Sequence, residues 1–165
     1  MLGKHIHLFS PGPVEISEDT YRAMCAPMIG HRGSEFVALY EAIHPKLQEL
    51  FGTESPVFLS TSSAWGVMEA SVRNLTRKKV LNCCCGAFSD KWLDVSRRSG
   101  LDADALQVEW GEPIRGEDVE RKLEGGEFDV VTLVHNETST GVLNPLEEIA
   151  AAVRKFPDVL LVVDT

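Results

Sequence analysis

Positive charge is scarce in this chain: 16 Lys and Arg stand against 25 Asp and Glu over 165 residues, a net charge of −9. With an isoelectric point near 5.0, such a surface repels phosphate backbones, so nucleic-acid binding through a basic face is not expected. Long apolar runs are missing as well, and none approaches the ~18–20 residues that cross a bilayer. The opening Met1-Leu2-Gly3-Lys4-His5-Ile6-His7 has neither a signal peptide's apolar segment nor a twin-arginine signal. A cytoplasmic protein is expected, with no membrane partner. No GxGxxG or Walker A pattern occurs, which removes the ordinary dinucleotide and P-loop readings. Cysteine is limited to Cys25, Cys83, Cys84 and Cys85, without a CxxC spacing. Three adjacent cysteines pair poorly with one another, so neither a disulfide framework nor a zinc knuckle is indicated. All four are read as small buried residues in a reducing compartment. His5 and His7 lack carboxylate or cysteine company and are read as solvated, with no metal.

What remains is ordinary globular composition, 44% hydrophobic and 25% charged, enough for a proper core and incompatible with intrinsic disorder. Residues 1–55 read as an amino-terminal extended segment with helices. Ser10-Pro11-Gly12-Pro13 cannot be helical. Ser17 is a candidate N-cap for a helix toward Cys25, with Glu18 and Asp19 suited to its first turn. Ser34 is read as the cap of a longer helix whose Phe36, Leu39, Tyr40, Ile43, Leu47 and Leu50 recur at helical spacing; Pro45 should kink it and Gly52 close it.

From residue 56 to 165 strands and helices alternate. Strands are expected at 57–59, 80–84, 106–110, 130–134 and 159–163, and helices at 64–75, 88–98, 117–123 and 145–155. Strand–helix repetition with β-branched runs predicts an α/β fold, a mostly parallel sheet with helices on both faces. The chain stops at Asp164-Thr165, straight after its most apolar strand, which is expected to be central. A strand in that place needs a following helix, so the sequence reads as the first part of something longer.

In open α/β sheets ligands bind at the carboxyl ends of the strands. There stand Ser60-Thr61-Ser62-Ser63-Ala64-Trp65, entering a helix. Small hydroxyl residues and free N–H groups at a helix start suit a phosphate, and equally suit plain capping. Gly86-Ala87-Phe88 brings an aromatic to a helix entrance, where it lies on a flat ligand or packs helix to sheet. His135-Asn136-Glu137-Thr138-Ser139-Thr140-Gly141 is more polar than a turn requires. Asp164 at a strand tip should face a cation or a protonated ring nitrogen, unless it caps the next helix.

These tips together resemble the class V aminotransferases that use pyridoxal phosphate, in the alanine–glyoxylate and serine–pyruvate aminotransferase group. The resemblance rests on Ser10-Pro11-Gly12-Pro13-Val14-Glu15-Ile16, Gly30-His31-Arg32-Gly33-Ser34-Glu35-Phe36 and Ser62-Ser63-Ala64-Trp65-Gly66-Val67-Met68-Glu69-Ala70. It continues through Gly86-Ala87-Phe88-Ser89-Asp90-Lys91-Trp92, His135 to Leu146, and Val162-Val163-Asp164-Thr165. It implies that 56–165 is an incomplete pyridoxal-phosphate-binding large domain of a fold-type I transferase, the small carboxy-terminal domain being absent. Ser63, Ala64 and Trp65 would hold the cofactor phosphate, and Phe88 would stack on the ring. Thr138 would bond near its phenolic oxygen, Asp164 would pair with the ring nitrogen, and Gly12 would lie near the substrate. The phosphate loop departs from the family's glycine-rich pattern, with Ser62-Ser63-Ala64 and then Trp65. The Schiff-base lysine of the family lies beyond the Asp-bearing strand, so no catalytic residue is assigned within the chain. The implied reaction is transamination between a small amino acid and a 2-oxo acid by a homodimer. The fragment alone is expected to be inactive. Alternatives are a lyase of the cysteine desulfurase type and a non-enzymatic module that binds a phosphate ligand.

Overall fold

Serine and glycine set the ends of the first helices. The structure, a computed structural model that describes residues 7–12 and 14–165, divides into two compact units, Met1–Leu59 and Ser60–Thr165. In the first, α1 (Glu18–Met24) begins where Ser17 Oγ accepts from the Thr20 N–H at 3.2 Å. The second helix, α2 (Ser34–Phe51), has Gly33 as its N-cap, so Ser34 is the first helical residue and not the cap. It runs on through Pro45 and closes at Gly52, whose φ of 58° is the left-handed value that favours glycine. No described residue of this unit is buried. The apolar stripe of α2, with Val57, Phe58 and Leu59, lines an open groove of about 390 Å³. Residues 57–59 form no strand, contrary to the sequence reading. The Val57 N–H donates to His44 Nε2 (3.2 Å), and Phe58 and Leu59 stay exposed. An apolar run supplies burial, but a strand also needs a ladder partner, and none is present here among the described residues.

The second unit runs α3 (Ala64–Leu75), β1 (Val80–Cys84), α4 (Ala87–Arg98), β2 (Ala103–Gln107), α5 (Gly116–Glu124), β3 (Val130–Val134), β4 (Asn136–Glu137), β5 (Val142–Leu143), α6 (Leu146–Val153) and β6 (Leu160–Asp164). Four strands make one parallel sheet in the order β2-β1-β3-β6, and β4 and β5 form a small antiparallel hairpin. The alternation of a strand sends successive side chains to opposite faces. Leu81, Cys83, Val131 and Leu133 pack with Val119 and Leu123 of α5 and Ile149 and Val153 of α6. Val80, Val130 and Val134 pack with Met68 and Val72 of α3 and Trp92 of α4. Both faces are thus covered, and β1 and β3 are buried at every position, as parallel strands require. Polar residues in this interior are paired: Asn82 Oδ1 accepts from Ser96 Oγ (3.1 Å) and Thr132 Oγ1 (3.0 Å).

Several boundaries differ from the sequence reading. The second strand lies at Ala103–Gln107 and not 106–110, because β1 pairs with it from Val80↔Ala103 and ends at Cys84↔Gln107. Trp110, left without a partner strand, is exposed and donates its indole N–H to Asp90 Oδ2 at 3.0 Å. The helix expected at 145–155 is shorter, with Pro145 as its N-cap. The final strand lies at Leu160–Asp164 and, among the described residues, pairs with β3. Cys25 is exposed, against expectation, because α1 buries nothing. Cys83, Cys84 and Cys85 are buried as expected. Burial pushes all three thiols up, Cys84 to about 12, so they stay protonated at neutral pH. His5 and Pro13 lie outside the described residues. Among those described, no group of three metal-ligating side chains occurs, and no helix is long and apolar enough to cross a membrane.

Candidate functional site

The carboxyl ends of β1, β3 and β6 and the amino ends of α3 and α4 supply the candidate residues in the second unit. Ser63 is the N-cap of α3, in an extended conformation, yet no side chain caps this helix. Among the described residues, no hydrogen bond reaches the Ala64 or Trp65 N–H, and the Gly66 N–H turns back to Ser63 O at 2.9 Å. Free first-turn amides at the positive end of a helix are donors awaiting an anion. Gly66 belongs to this geometry, since a Cβ there would meet Ser62 Oγ at 2.6 Å.

Across from them, Asp164 ends β6. It lines a cavity of about 280 Å³ together with Ala64, Val67, Met68, Ser71 and Trp92. Burial, and then the negative charge of Glu137, hold its pKa above the usual carboxylate value, with no positive group offsetting them. A carboxylate so placed attracts a proton or a protonated ligand atom. The rings of Trp65 and Phe88 lie parallel, 2° between planes and 6.3 Å between centroids, and Lys91 Nζ sits 4.6 Å over Trp65. Phe88 is 40% exposed, so its ring is not spent on packing helix to sheet.

Thr138 is exposed in the turn of the β4–β5 hairpin. Its neighbours carry a network that the sequence reading missed. Glu137 is about 1% exposed, and its Oε1 accepts from the Phe88 N–H (3.3 Å), the Ser139 N–H (3.3 Å) and Ser139 Oγ (2.7 Å). Its Oε2 accepts from the Ser89 N–H (3.0 Å) and Ser89 Oγ (2.9 Å). Burial alone would raise its pKa, but the Ser139, Ser89 and Phe88 donors more than offset this and hold it below the usual range. The signal was present in outline: Glu137 is the one carboxylate in the heptad after β3, and Gly86 precedes the α4 entrance. Ser63, Ala64, Trp65, Phe88, Thr138 and Asp164 thus belong to one unit; a cavity joins Ala64 to Asp164, a ring stack joins Trp65 to Phe88, and Phe88 bonds to Glu137, the chain neighbour of Thr138. Gly12 belongs to the other unit, where it is exposed.

An open helix start, a ring pair and an acid with no cation beside it thus stand at the carboxyl end of the parallel sheet. The family model for class V aminotransferases matches residues 15–165, and the chain belongs to that family. It is 37% identical over 161 residues to an uncharacterized aminotransferase of Methanocaldococcus jannaschii, covering 96% of this chain and 42% of that protein. It is 36% identical to a serine–glyoxylate aminotransferase of Methylorubrum extorquens, covering 92% of this chain and 38% of that one. Among solved structures, an alanine–glyoxylate aminotransferase from Nostoc sp. superimposes with a TM-score of 0.86 at 32% identity, covering 94% of this chain and 42% of that one. The chain therefore spans about two fifths of these relatives' length. The fold expected from the sequence is the one that these enzymes share.

Proposed function

We propose that this chain forms most of one side of a pyridoxal 5′-phosphate cradle in a transaminating enzyme. The observation that carries this is that Ala64, the first residue of α3, and Asp164, the last of β6, line one cavity, while the Ala64 and Trp65 amides at that helix start donate to no partner among the described residues. The donor set fits the group. The Ser63, Ala64 and Trp65 segment offers unpaired N–H groups to a dianion, at the positive end of α3. Phe88 offers a ring face, and Thr138 a hydroxyl to a ring oxygen. Asp164 would pair with the protonated ring nitrogen. When bound, pyridoxal phosphate supplies an electron sink for a carbanion at the substrate's α-carbon. Asp164 strengthens that sink by keeping the nitrogen charged.

The whole protein, on this reading, moves an amino group between a small amino acid and a 2-oxo acid, of the alanine or serine to glyoxylate or pyruvate type. The serine–glyoxylate and alanine–glyoxylate relatives support transamination over the lyase alternative. A homodimer shares the sites, and the enzyme works in the cytoplasm. No lysine of this chain stands at the family's Schiff-base position. The chain alone is therefore expected to hold the cofactor without a covalent bond and to catalyse no transamination. Titration with pyridoxal 5′-phosphate, followed by borohydride reduction and peptide mapping, tests this. Saturable binding that leaves no single lysine labelled is expected; stoichiometric labelling at one lysine, or no binding at all, contradicts it.

A further inference from the structure

Glu137 is the most deeply buried carboxylate described in the molecule, and the cofactor roles above do not use it. Its partners are the entrance of α4 and Ser139 of the hairpin turn. The first turn of a helix leaves its N–H groups without intrahelical acceptors. Here each of the first three is taken: Phe88 and Ser89 donate directly to the two carboxylate oxygens. The Ala87 N–H donates to Ser139 Oγ at 2.8 Å, which in turn donates to Glu137 Oε1 at 2.7 Å. The same carboxylate therefore joins α4 to the hairpin turn that carries Thr138 and Ser139. The backbone of Glu137 joins in, since its carbonyl accepts from the Thr140 and Gly141 N–H groups at 3.2 and 2.8 Å.

A second observation, independent of the hydrogen bonds, is Gly86. A Cβ at this position would lie 2.5 Å from the Glu137 carboxyl carbon and 2.7 Å from Ser139 Oγ. The φ of Gly86 is 177°, extended backbone open to any residue, so the glycine is needed for space and not for conformation. The space it leaves is filled by the Glu137 side chain.

We propose that Glu137 is a positioning residue for the cofactor ring: its carboxylate gathers the first-turn amides of α4, directly or through Ser139, and so fixes the backbone from which Phe88 presents its ring beside Trp65. This rests on the cofactor reading given above. A side effect follows from charge. A permanent anion here, neutralised by helix dipole and hydroxyls but by no cation, raises the proton affinity of Asp164.

The test uses pyridoxamine 5′-phosphate, which has no aldehyde to react with surface lysines. Its affinity, its induced circular dichroism and the hydrogen exchange of the Phe88 and Ser89 amides are measured in the wild-type chain, Glu137→Ala, Glu137→Gln and Ser139→Ala. Glu137→Ala is expected to weaken binding about tenfold, the effect of losing hydrogen bonds to a charged acceptor, to reduce the dichroism and to deprotect both amides. Glu137→Gln, which keeps an acceptor oxygen, restores most of the dichroism. Should Glu137→Ala not fold, Ser139→Ala carries the test: its loss is at the exposed turn, and about threefold weaker binding with deprotection of Ala87 is expected. Wild-type affinity and dichroism in a folded Glu137→Ala, or in Ser139→Ala, overturn the proposal. So does a Glu137→Gln as impaired as the alanine variant. If the wild-type chain itself does not bind while its Phe88 and Ser89 amides are protected, the cofactor reading is what fails, and the clasp loses its role toward the ring with it.

Discussion

Two neighbouring helices, α3 and α4, cover the same face of the sheet, and their amino termini are finished in opposite ways. At α4, Glu137 and Ser139 take the N–H groups of Ala87, Phe88 and Ser89. At α3, Ser63 caps nothing with its side chain and the amides of Ala64 and Trp65 are left open. On the proposed reading, the closed start of α4 is scaffold and the open start of α3 is where a ligand's anion would sit.

Substitutions can reverse either half of this contrast. Closing fails most severely in Glu137→Ala, which strips acceptors from buried donors in α4 and the hairpin. A loss of about 3 kcal/mol is expected in denaturant unfolding of the chain, the upper end for buried groups left unpaired. Gly86→Ala pushes a methyl into the Glu137 carboxyl group and should cost about 1–3 kcal/mol, with the Phe88 amide losing protection. Ser139→Ala removes only the relay to Ala87, for about 1 kcal/mol. At the open end, Ser63→Ala should change stability by less than about 0.5 kcal/mol, because no cap bond is lost, where a bonded cap costs about 1. Anion affinity at α3 should fall all the same.

The two acids of the site respond to pH with opposite signs. Glu137 is held below its ordinary value of 4.5. Its contribution to stability is complete above that pH and is lost as pH falls through the lowered value, so Glu137→Gln flattens the acid limb of the stability curve. Asp164 is held above 3.8, by burial first and by the Glu137 charge second. It penalises the folded state once pH rises through its raised value and costs nothing below 3.8. Asp164→Asn should therefore raise the Tm at pH 7, the gain vanishing toward pH 3, while it weakens cofactor binding. A lower Tm at pH 7 contradicts the assignment.

Much of the fold was legible because its signals are local. The 130–134 run, entirely β-branched or leucine, could only be a buried strand, and the helix expected at 64–75 lies at Ala64–Leu75. Where pairing decides, local signals failed. Residues 57–59 are as apolar as a strand but have no ladder partner among the described residues, and the alternation at 106–110 was outweighed by the register that β1 imposes at Ala103. The site divides the same way. Asp164 and Ser63 to Trp65 could be picked out as polar or small residues at chain switches. Glu137 could be seen only as the one carboxylate of a polar heptad, where it reads as solvated; the fold brings it under Gly86 and against Phe88, 49 positions away along the chain.

The most direct measurement is a titration of the chain with inorganic phosphate followed by amide chemical shifts. Shifts confined to Ala64, Trp65 and their neighbours, with Ala87, Phe88 and Ser89 unmoved, are predicted. Movement at the α4 amides instead, or at neither helix, would contradict the account.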